Sequence, residues 1–238
     1  MPTIASCQRL QHAWFTALAS ATGGRSFGTH ESRWVWLPAR RQLMLMFPEE
    51  ISPAGIRPGL AEGSRLGAST VTAWLGGSVD YAPLEAFGFR RGPQTCWMTA
   101  PVRAPQAWPG AGASVETEPR EVTGADAEEL RVGHSQPRQA WHIAARDSAR
   151  MTGRAYAFYP SGIALPSKVG GIFSLAVGTS SRRRGFGTAL LSAAAATAEA
   201  AGAEHLVVNA SANGGQDLCS ARGFTLVGRG RTYSMALG

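Results

Sequence analysis

Lysine is almost missing from this chain: Lys168 stands alone among 23 basic residues, and the others are arginine. Cysteine is scarce too. Cys7, Cys96 and Cys219 are odd in number and far apart, which excludes a disulfide framework and predicts free thiols. No run approaches the roughly 18 apolar residues of a membrane span. The opening residues, Met1 to Arg9, show no basic segment followed by an apolar one, so no secretory signal is read from them and a cytoplasmic protein is expected. Acidic residues number only 16, leaving a net charge of +7. That excess is spread along the chain, with 10 arginines against 6 acids in residues 1–113 and 13 basic against 10 acidic residues in 114–238. Arginine in place of lysine, beside abundant alanine and glycine, reads as genome composition. There is no recognised nucleic-acid module and no interleaving of aromatic with basic residues, so nucleic acid is not an expected partner. What remains is a basic surface suited to an anionic ligand.

The 238 residues, 44% of them hydrophobic, suffice for one large domain or two small ones. Pro101, Pro105, Pro109 and Pro119, with Pro93 just upstream and Gly110-Ala-Gly112 among them, have linker composition and predict a boundary near residue 113. In the first half, Ile4, Cys7, Leu10, Trp14 and Leu18 recur at helical spacing, predicting a helix over 4–19. Residues 34–37, 43–47 and 69–75 read as strands, and the Pro- and Gly-rich stretch 48–68 as irregular. After the boundary, Thr123-Gly-Ala-Asp126 has the form of a capping box, and a helical pattern runs from there to Ala145, interrupted at Gly133 and Pro137. Residues 154–159 predict a strand closed by a turn at Pro160-Ser-Gly162. Gly88-Phe89 and Gly223-Phe224 occupy similar settings in the two halves, each before an apolar run containing Met98 or Met235. This suggests an internal repeat.

The densest signal is Gly178-Thr-Ser-Ser-Arg-Arg-Arg-Gly-Phe-Gly187. An apolar run, 171–177, predicts a buried strand before it, and an Ala/Leu-rich run, 188–201, predicts a helix after it. A helix start leaves backbone N–H groups without intrahelical partners and carries partial positive charge, and glycine lets a ligand approach the backbone. The expected guest is a phosphate or pyrophosphate. The turn lacks the Gly-Lys-Ser/Thr ending of a Walker loop and the three glycines of a dinucleotide fingerprint.

Arg182-Arg-Arg-Gly-Phe-Gly187, entered from a strand ending in Val177, resembles the acyl-coenzyme A loop Arg/Gln-x-x-Gly-x-Gly/Ala of the GNAT superfamily of N-acetyltransferases. Leu206-Val-Val-Asn209 resembles that family's next strand, and Leu218-Cys-Ser-Ala-Arg-Gly-Phe224 its Leu-Tyr-x-x-x-Gly-Phe helix end. The resemblance covers roughly residues 115–238. It implies an α/β (α+β) fold with a mixed, mostly antiparallel sheet flanked by helices. With the repeat signal it implies a tandem chain, in which 114–238 binds acyl-CoA and 1–113 is a degenerate copy or a substrate-shaping extension. It implies transfer of an acetyl or other acyl group from acetyl-CoA (coenzyme A) to an amine, expected to be a small molecule. The alternative is an inactive acyl-CoA-binding sensor of the same fold. Whether two chains pair is left open.

The resemblance also distributes roles. The N–H groups of Arg184, Gly185, Phe186, Gly187 and Thr188, with the Arg182 and Arg183 side chains, are expected to hold the pyrophosphate; the other reading is a solvated basic turn, and of the arginines Arg183 is the one expected to be a bystander. The edge of strand 171–177, at Leu175, Ala176 and Val177, is expected to pair with the pantetheine arm, with an N–H near Leu175 or Ala176 facing the thioester carbonyl. The family's proton-donating Tyr falls at Cys219, for which two readings stand: a proton donor to the leaving thiolate, or a packed thiol. Tyr233 and Ser220 are further donors. Strand 171–177 has no acid where many relatives carry Glu, so the base is open among His134, His142 and a water oriented by Asn209 or Ser211. Most tryptophans are expected to be core, with Trp97 or Trp141 as candidates for an acceptor pocket.

Overall fold

The structure, a computed structural model, describes residues 1–77, 80, 82–105, 112–116, 126–135, 139–160, 168–212 and 214–237, the side chains of 126, 127 and 134 excepted. In chain order the elements are α1 (Ile4–Ala21), β1 (Arg25–Thr29), β2 (Ser32–Leu37), β3 (Gln42–Met46), α2 (Pro53–Arg65), β4 (Thr70–Gly76), α3 (Ala82–Ala86) and β5 (Arg90–Pro101). They continue with β6 (Ala113–Glu116), α4 (Asp126–Ser135), β7 (Ala140–Asp147), β8 (Arg150–Phe158), β9 (Val169–Val177), a 3-10 turn at Thr179–Ser181, α5 (Phe186–Ala200), β10 (His205–Ser211), α6 (Gly215–Ser220) and β11 (Thr225–Ala236).

Apart from β6 and the 3-10 turn, which only the second half has among the described residues, the elements of the two halves follow one order: helix, three strands, helix, strand, short helix, long strand. In each half the three strands are antiparallel neighbours, and the third pairs in parallel with the strand that follows the second helix, β3 with β4 and β9 with β10. Each short helix ends in a glycine at positive φ, Gly88 at 89° and Gly223 at 81°. The next residue, Phe89 or Phe224, is buried and donates its N–H back to Leu84 or Cys219 before a 12-residue strand begins. The repeated Gly-Phe thus marks one structural device used twice.

By their internal contacts the residues form two compact units. One contains Met1–Gln11 and Cys96–Val227, the other His12–Thr95 and Gly228–Gly238. The final strands are therefore exchanged: β11 pairs with β4, Gly230 opposite Gly76 through Ala236 opposite Thr70, in the unit built mostly from the first half. The other unit takes Cys96–Pro101 of β5.

In the unit that includes the glycine-arginine loop, the strand order is β6-β7-β8-β9-β10, continued by β5. The core on one face follows from period-two alternation. Ile143 and Ala145 of β7, Ala155 and Ala157 of β8, Ile172 of β9 and Leu206, Val208 and Ala210 of β10 pack against Leu190, Leu191, Ala194, Ala195 and Ala198 of α5. The small alanines let α5 lie close to the strands. On the other face of the sheet the intervening residues include an aromatic group, with His142 on Tyr156 at 5.2 Å and Phe158 edge-on to Phe173 at 6.2 Å.

Two sequence expectations are corrected. Residues 140–145 are strand, not the continuation of a helix: α4 ends at Ser135, and Ala140–Asp147 pairs along β8. Pro137 disfavours helical geometry before it, and aromatic and branched residues at 141–143 suit a pleated surface. Stretch 48–68 contains the regular helix α2. Ser52 caps it by accepting the Gly55 N–H, and Pro53 suits the first turn. Gly55, Gly59 and Gly63 fall on one face at four-residue spacing. A Cβ on Gly59 would lie 2.2 Å from the Trp34 ring, and one on Gly63 2.8 Å from Leu43, so the glycines that resemble loop punctuation are packing positions. The expected capping box at 123–126, the turn at 161–162 and the Pro/Gly segment 106–111 lie outside the described residues.

Candidate active site

The site begins with a mismatch between neighbouring strands. Arg154 of β8 faces Ala176 of β9, while Tyr156 faces Phe173, so two steps on β8 match three on β9. The extra residue makes a β-bulge, and Ser174 takes the left-handed φ of 50° that L side chains rarely adopt. The parallel register of β9 with β10 runs from Val169–His205 to Ile172–Val208 and ends there. Beyond it, β9 stays paired with β8 on one edge, and Leu175–Val177 turn the other to a cleft. The cleft, of about 720 Å³, is lined by Leu175, Ala176 and Val177 of β9, Ser181, Arg182, Arg183, Gly185, Gly187 and Thr188 of the loop and helix start, Ser211, and Gly214, Gly215 and Leu218 around α6.

The loop delivers donors to that cleft. Arg183 at φ 62° and Gly185 at φ 87° turn the chain sharply into α5. The first intrahelical bond runs from Ala189 N–H to Gly185 C=O at 3.0 Å, and Gly185 supplies no side chain as a cap. The N–H groups of Phe186, Gly187 and Thr188 therefore stand at the positive end of a 15-residue helix as donors suited to an anion. A Cβ on Gly187 would come within 3.0 Å of Leu218, which is why the first turn of α5 can close against α6.

The three arginines divide. Arg182 and Arg183 line the cleft, and Arg182 Nε lies 3.4 Å from the Val177 carbonyl oxygen. Arg184 instead meets the Asp147 carboxylate at 2.7 Å and lies 5.2 Å over the ring of Phe186, itself buried in the core. Both members of the Arg184–Asp147 pair are about half exposed, so its worth is small. Arg182→Ala is expected to weaken binding of a pyrophosphate ligand about tenfold, in line with one charge-assisted hydrogen bond. Arg184→Ala is expected to leave affinity within twofold and cost under about 1 kcal/mol of stability. Calorimetric titration and thermal unfolding of the two variants check both.

The remaining expected residues are spread out. Cys219 sits in the core cluster with α5, and burial pushes its thiol up to about 12. A thiol so hard to ionise, packed among apolar side chains, is placed as a core residue. Asn209 lies on β10 one residue past the end of the β9 pairing. Its Nδ2 donates to Gln11 of α1 at 2.9 Å, while its buried Oδ1 accepts no hydrogen bond among the described residues. Ser211 lines the cleft. Tyr233 belongs to the core of the other unit. His142 is buried on β7 with its Nδ1 3.6 Å from Glu116 Oε2, while the His134 side chain lies outside the described residues. Trp97 is a core residue, and Trp141 packs against the α5 cluster.

One buried carboxylate beside β9 had no sequence signal. Glu129 of α4 is 6% exposed, and its Oε1 accepts a hydrogen bond from the hydroxyl of Ser174, the bulge residue 45 positions away. In the sequence, Ala127-Glu-Glu-Leu130 is an acidic first turn of a helix, which ordinarily faces water. Only the fold brings one of these acids to β9.

Residues 107–224 match the sequence model of the Acetyltransferase (GNAT) family. The fold is similar to that of a GCN5-related N-acetyltransferase from Kribbella flavida, with TM-score 0.66 at 13% identity over 98% of this chain and 96% of that one. It is also similar to a GCN5-related N-acetyltransferase from Sphaerobacter thermophilus, with TM-score 0.56 at 17% identity over 87% and 76%. A tandem GNAT protein from the clavulanic acid biosynthesis pathway gives TM-score 0.54 at 16% identity over 87% and 78%. No curated protein matches the chain.

Proposed function

Because the chain carries a GNAT-family acetyltransferase domain over residues 107–224, we propose that it is an N-acyltransferase moving an acetyl or other acyl group directly from acyl-CoA to the amine of a small molecule. The observation that carries this is a single cleft bounded by an open strand edge on one side and an uncapped helix start on the other. The N–H groups of Phe186, Gly187 and Thr188 and the side chains of Arg182 and Arg183 take the pyrophosphate. The free edge of β9 at Leu175–Val177 pairs with the amides of the pantetheine arm, which mimic a peptide strand. The bulge ends that edge, so the thioester comes to rest at Ser174–Leu175 with an N–H of Leu175 or Ala176 toward its carbonyl oxygen, the group on which negative charge develops. Cys219 has no proton-transfer role in this reading, and Asn209 serves to orient.

In this proposal residues 114–238 form the acyl-CoA-binding part, and 1–113 a copy that no longer binds. The equivalents of both cleft walls in the first half support that. At the start of α2, Ser52 occupies the Gly55 N–H and Pro53 has none to offer. Strands β3 and β4 stay paired from Gln42–Thr70 to Met46–Trp74, leaving no open edge between them. Among the described residues no helix is long and apolar enough to cross a membrane, and the reading is of a cytoplasmic enzyme with free thiols.

A second reading, an acyl-CoA sensor without catalysis, is favoured by the burial of Cys219 where relatives carry the proton-donating Tyr. One experiment separates the two. Acetyl-CoA and CoA are titrated calorimetrically into the protein, and release of free CoA thiol is then followed with a panel of alkyl amines. Micromolar binding with amine-dependent thiol release is expected. Binding without release over the whole panel leaves the sensor reading, and absence of binding ends both.

A further inference from the structure

Three consecutive arginines lead into α5, and the fold uses each differently. Arg182 lines the cleft with its Nε 3.4 Å from the Val177 carbonyl oxygen. Arg184 is turned away, to the Asp147 carboxylate and the ring of Phe186. Arg183, between them, lines the cleft and is exposed, and its guanidinium makes no hydrogen bond or ion pair among the described residues. Its backbone is held at φ 62°. Arginine has neither glycine's missing Cβ nor the short polar side chain that lets asparagine or aspartate rest in the left-handed region. Such strain persists where the surroundings over-determine it, and it gathers at ligand sites. Here it has a visible consequence. In an extended chain successive side chains point to opposite sides. The reversal of φ at 183 breaks that alternation, so Arg182 and Arg183 both face the cleft and Arg184 leaves it.

The inference rests on the acyl-transfer reading above, whose donor gives this side chain a target. CoA carries a diphosphate and, beyond it, a separate phosphate on the ribose 3′ carbon. The diphosphate already has the N–H groups of Phe186, Gly187 and Thr188 and the side chain of Arg182. With the pantetheine arm along Leu175–Val177 and the diphosphate at the helix start, the nucleoside end leaves the cleft past the loop, where Arg183 stands exposed. A guanidinium has five N–H donors in a rigid fork, enough to touch a diphosphate oxygen and also hold a monophosphate at two points. We propose that Arg183 reads the ribose 3′-phosphate of the donor and thereby makes the protein select the CoA form over donors that lack this phosphate, among them dephospho-CoA and protein-bound phosphopantetheine.

The test is calorimetric titration of CoA and of dephospho-CoA, which differ in that phosphate alone, at physiological salt. Wild type is expected to bind CoA about 10–100-fold more tightly, the range of a charge-assisted contact to phosphate. Arg183→Asn removes the guanidinium and leaves a residue that tolerates positive φ, so the loop keeps its shape. It should bring the ratio between the two ligands to within about threefold, through weaker CoA binding, while dephospho-CoA affinity falls no more than about threefold. Arg183→Gly also accepts φ 62° and should give the same ratio, so a folding defect in one variant alone does not imitate the result. Arg182→Ala should weaken both ligands about tenfold and leave their ratio unchanged. Arg184→Ala should leave the ratio within about twofold, which measures what the loss of one positive charge does by itself. Equal losses for both ligands in Arg183→Asn would place its side chain on the diphosphate alone and overturn the proposal. Unchanged affinity for both would make it a solvated side chain and overturn it too, as would a wild type that binds the two ligands equally. If wild type binds neither ligand, the acyl-CoA reading itself falls and takes the inference with it.

Discussion

Gly185→Val is expected to weaken acetyl-CoA binding at least about a hundredfold, the equivalent of roughly 2.7 kcal/mol. Two effects add. Gly185 holds φ 87°, where a β-branched residue is a strong outlier at a cost of about 1–2 kcal/mol, so the loop relaxes and turns the N–H groups that follow it away from the cleft. Gly185 also lines the cleft, so the valine side chain occupies space the diphosphate needs. Gly67→Val separates these from general strain. Gly67 has nearly the same φ, 77°, and its added Cβ would meet nothing within 4 Å. It lies just past α2, in the other unit. This control should lose comparable stability yet bind acetyl-CoA as wild type does. Calorimetry on the two variants side by side gives the answer, and equal affinity for Gly185→Val and wild type would remove the loop from the binding site.

The site was legible where its chemistry is local. Arg182 to Gly187 needs only adjacent residues to announce a strand, a sharp turn and a helix start, and the structure assembles Leu175–Val177, Arg182, Arg183, Gly185, Gly187 and Thr188 around one cleft. The sequence points to Arg183 as the bystander of the turn, but Arg183 lines the cleft and the side chain that stands aside is that of Arg184. What separates it is Asp147, 37 positions away, and a partner at that distance leaves no local trace. The same holds for Glu129 and Ser174, and for the bulge, which exists only as a difference in register between β8 and β9. The helix α2 was hidden for another reason. Glycine and proline ordinarily punctuate, but here Pro53 and Ser52 start a helix and three glycines exist to let Trp34 and Leu43 approach. Exchange of β5 and β11 was invisible because a strand's sequence states its faces and not its neighbour. Gly88-Phe89 and Gly223-Phe224 hinted at the repeat, yet either strand satisfies either sheet by pattern alone.

Trp34→Ala should be the most destabilising single truncation in the unit that α2 packs on, and its rescue is specific. Trp34 is fully buried, stacks on Phe27 with centroids 6.4 Å apart, and donates its indole N–H to Thr29 Oγ1 at 2.9 Å. Removing it costs about 3–5 kcal/mol for a large aromatic cavity, a fall in Tm of roughly 10 °C in a chain of this length. Gly59 presses on the same ring, 2.2 Å from where a Cβ would stand, so Gly59→Leu in the wild-type background overpacks and also destabilises, by about 1–3 kcal/mol or more. Together the two changes should be far milder than their sum, because leucine from α2 refills the space the indole vacated. Thermal unfolding of the four proteins closes the cycle, and additivity would show that α2 does not pack on Trp34 as described. The same set probes the division of labour between the halves. If the first copy has lost its cofactor site because Ser52 and Pro53 consume its helix-start donors, acetyl-CoA affinity measured well below each Tm should stay within about twofold across the cycle. An affinity that falls with the stability of this unit would instead mean that the first half contributes to holding the donor, and the reading of it as a non-binding copy would have to be abandoned.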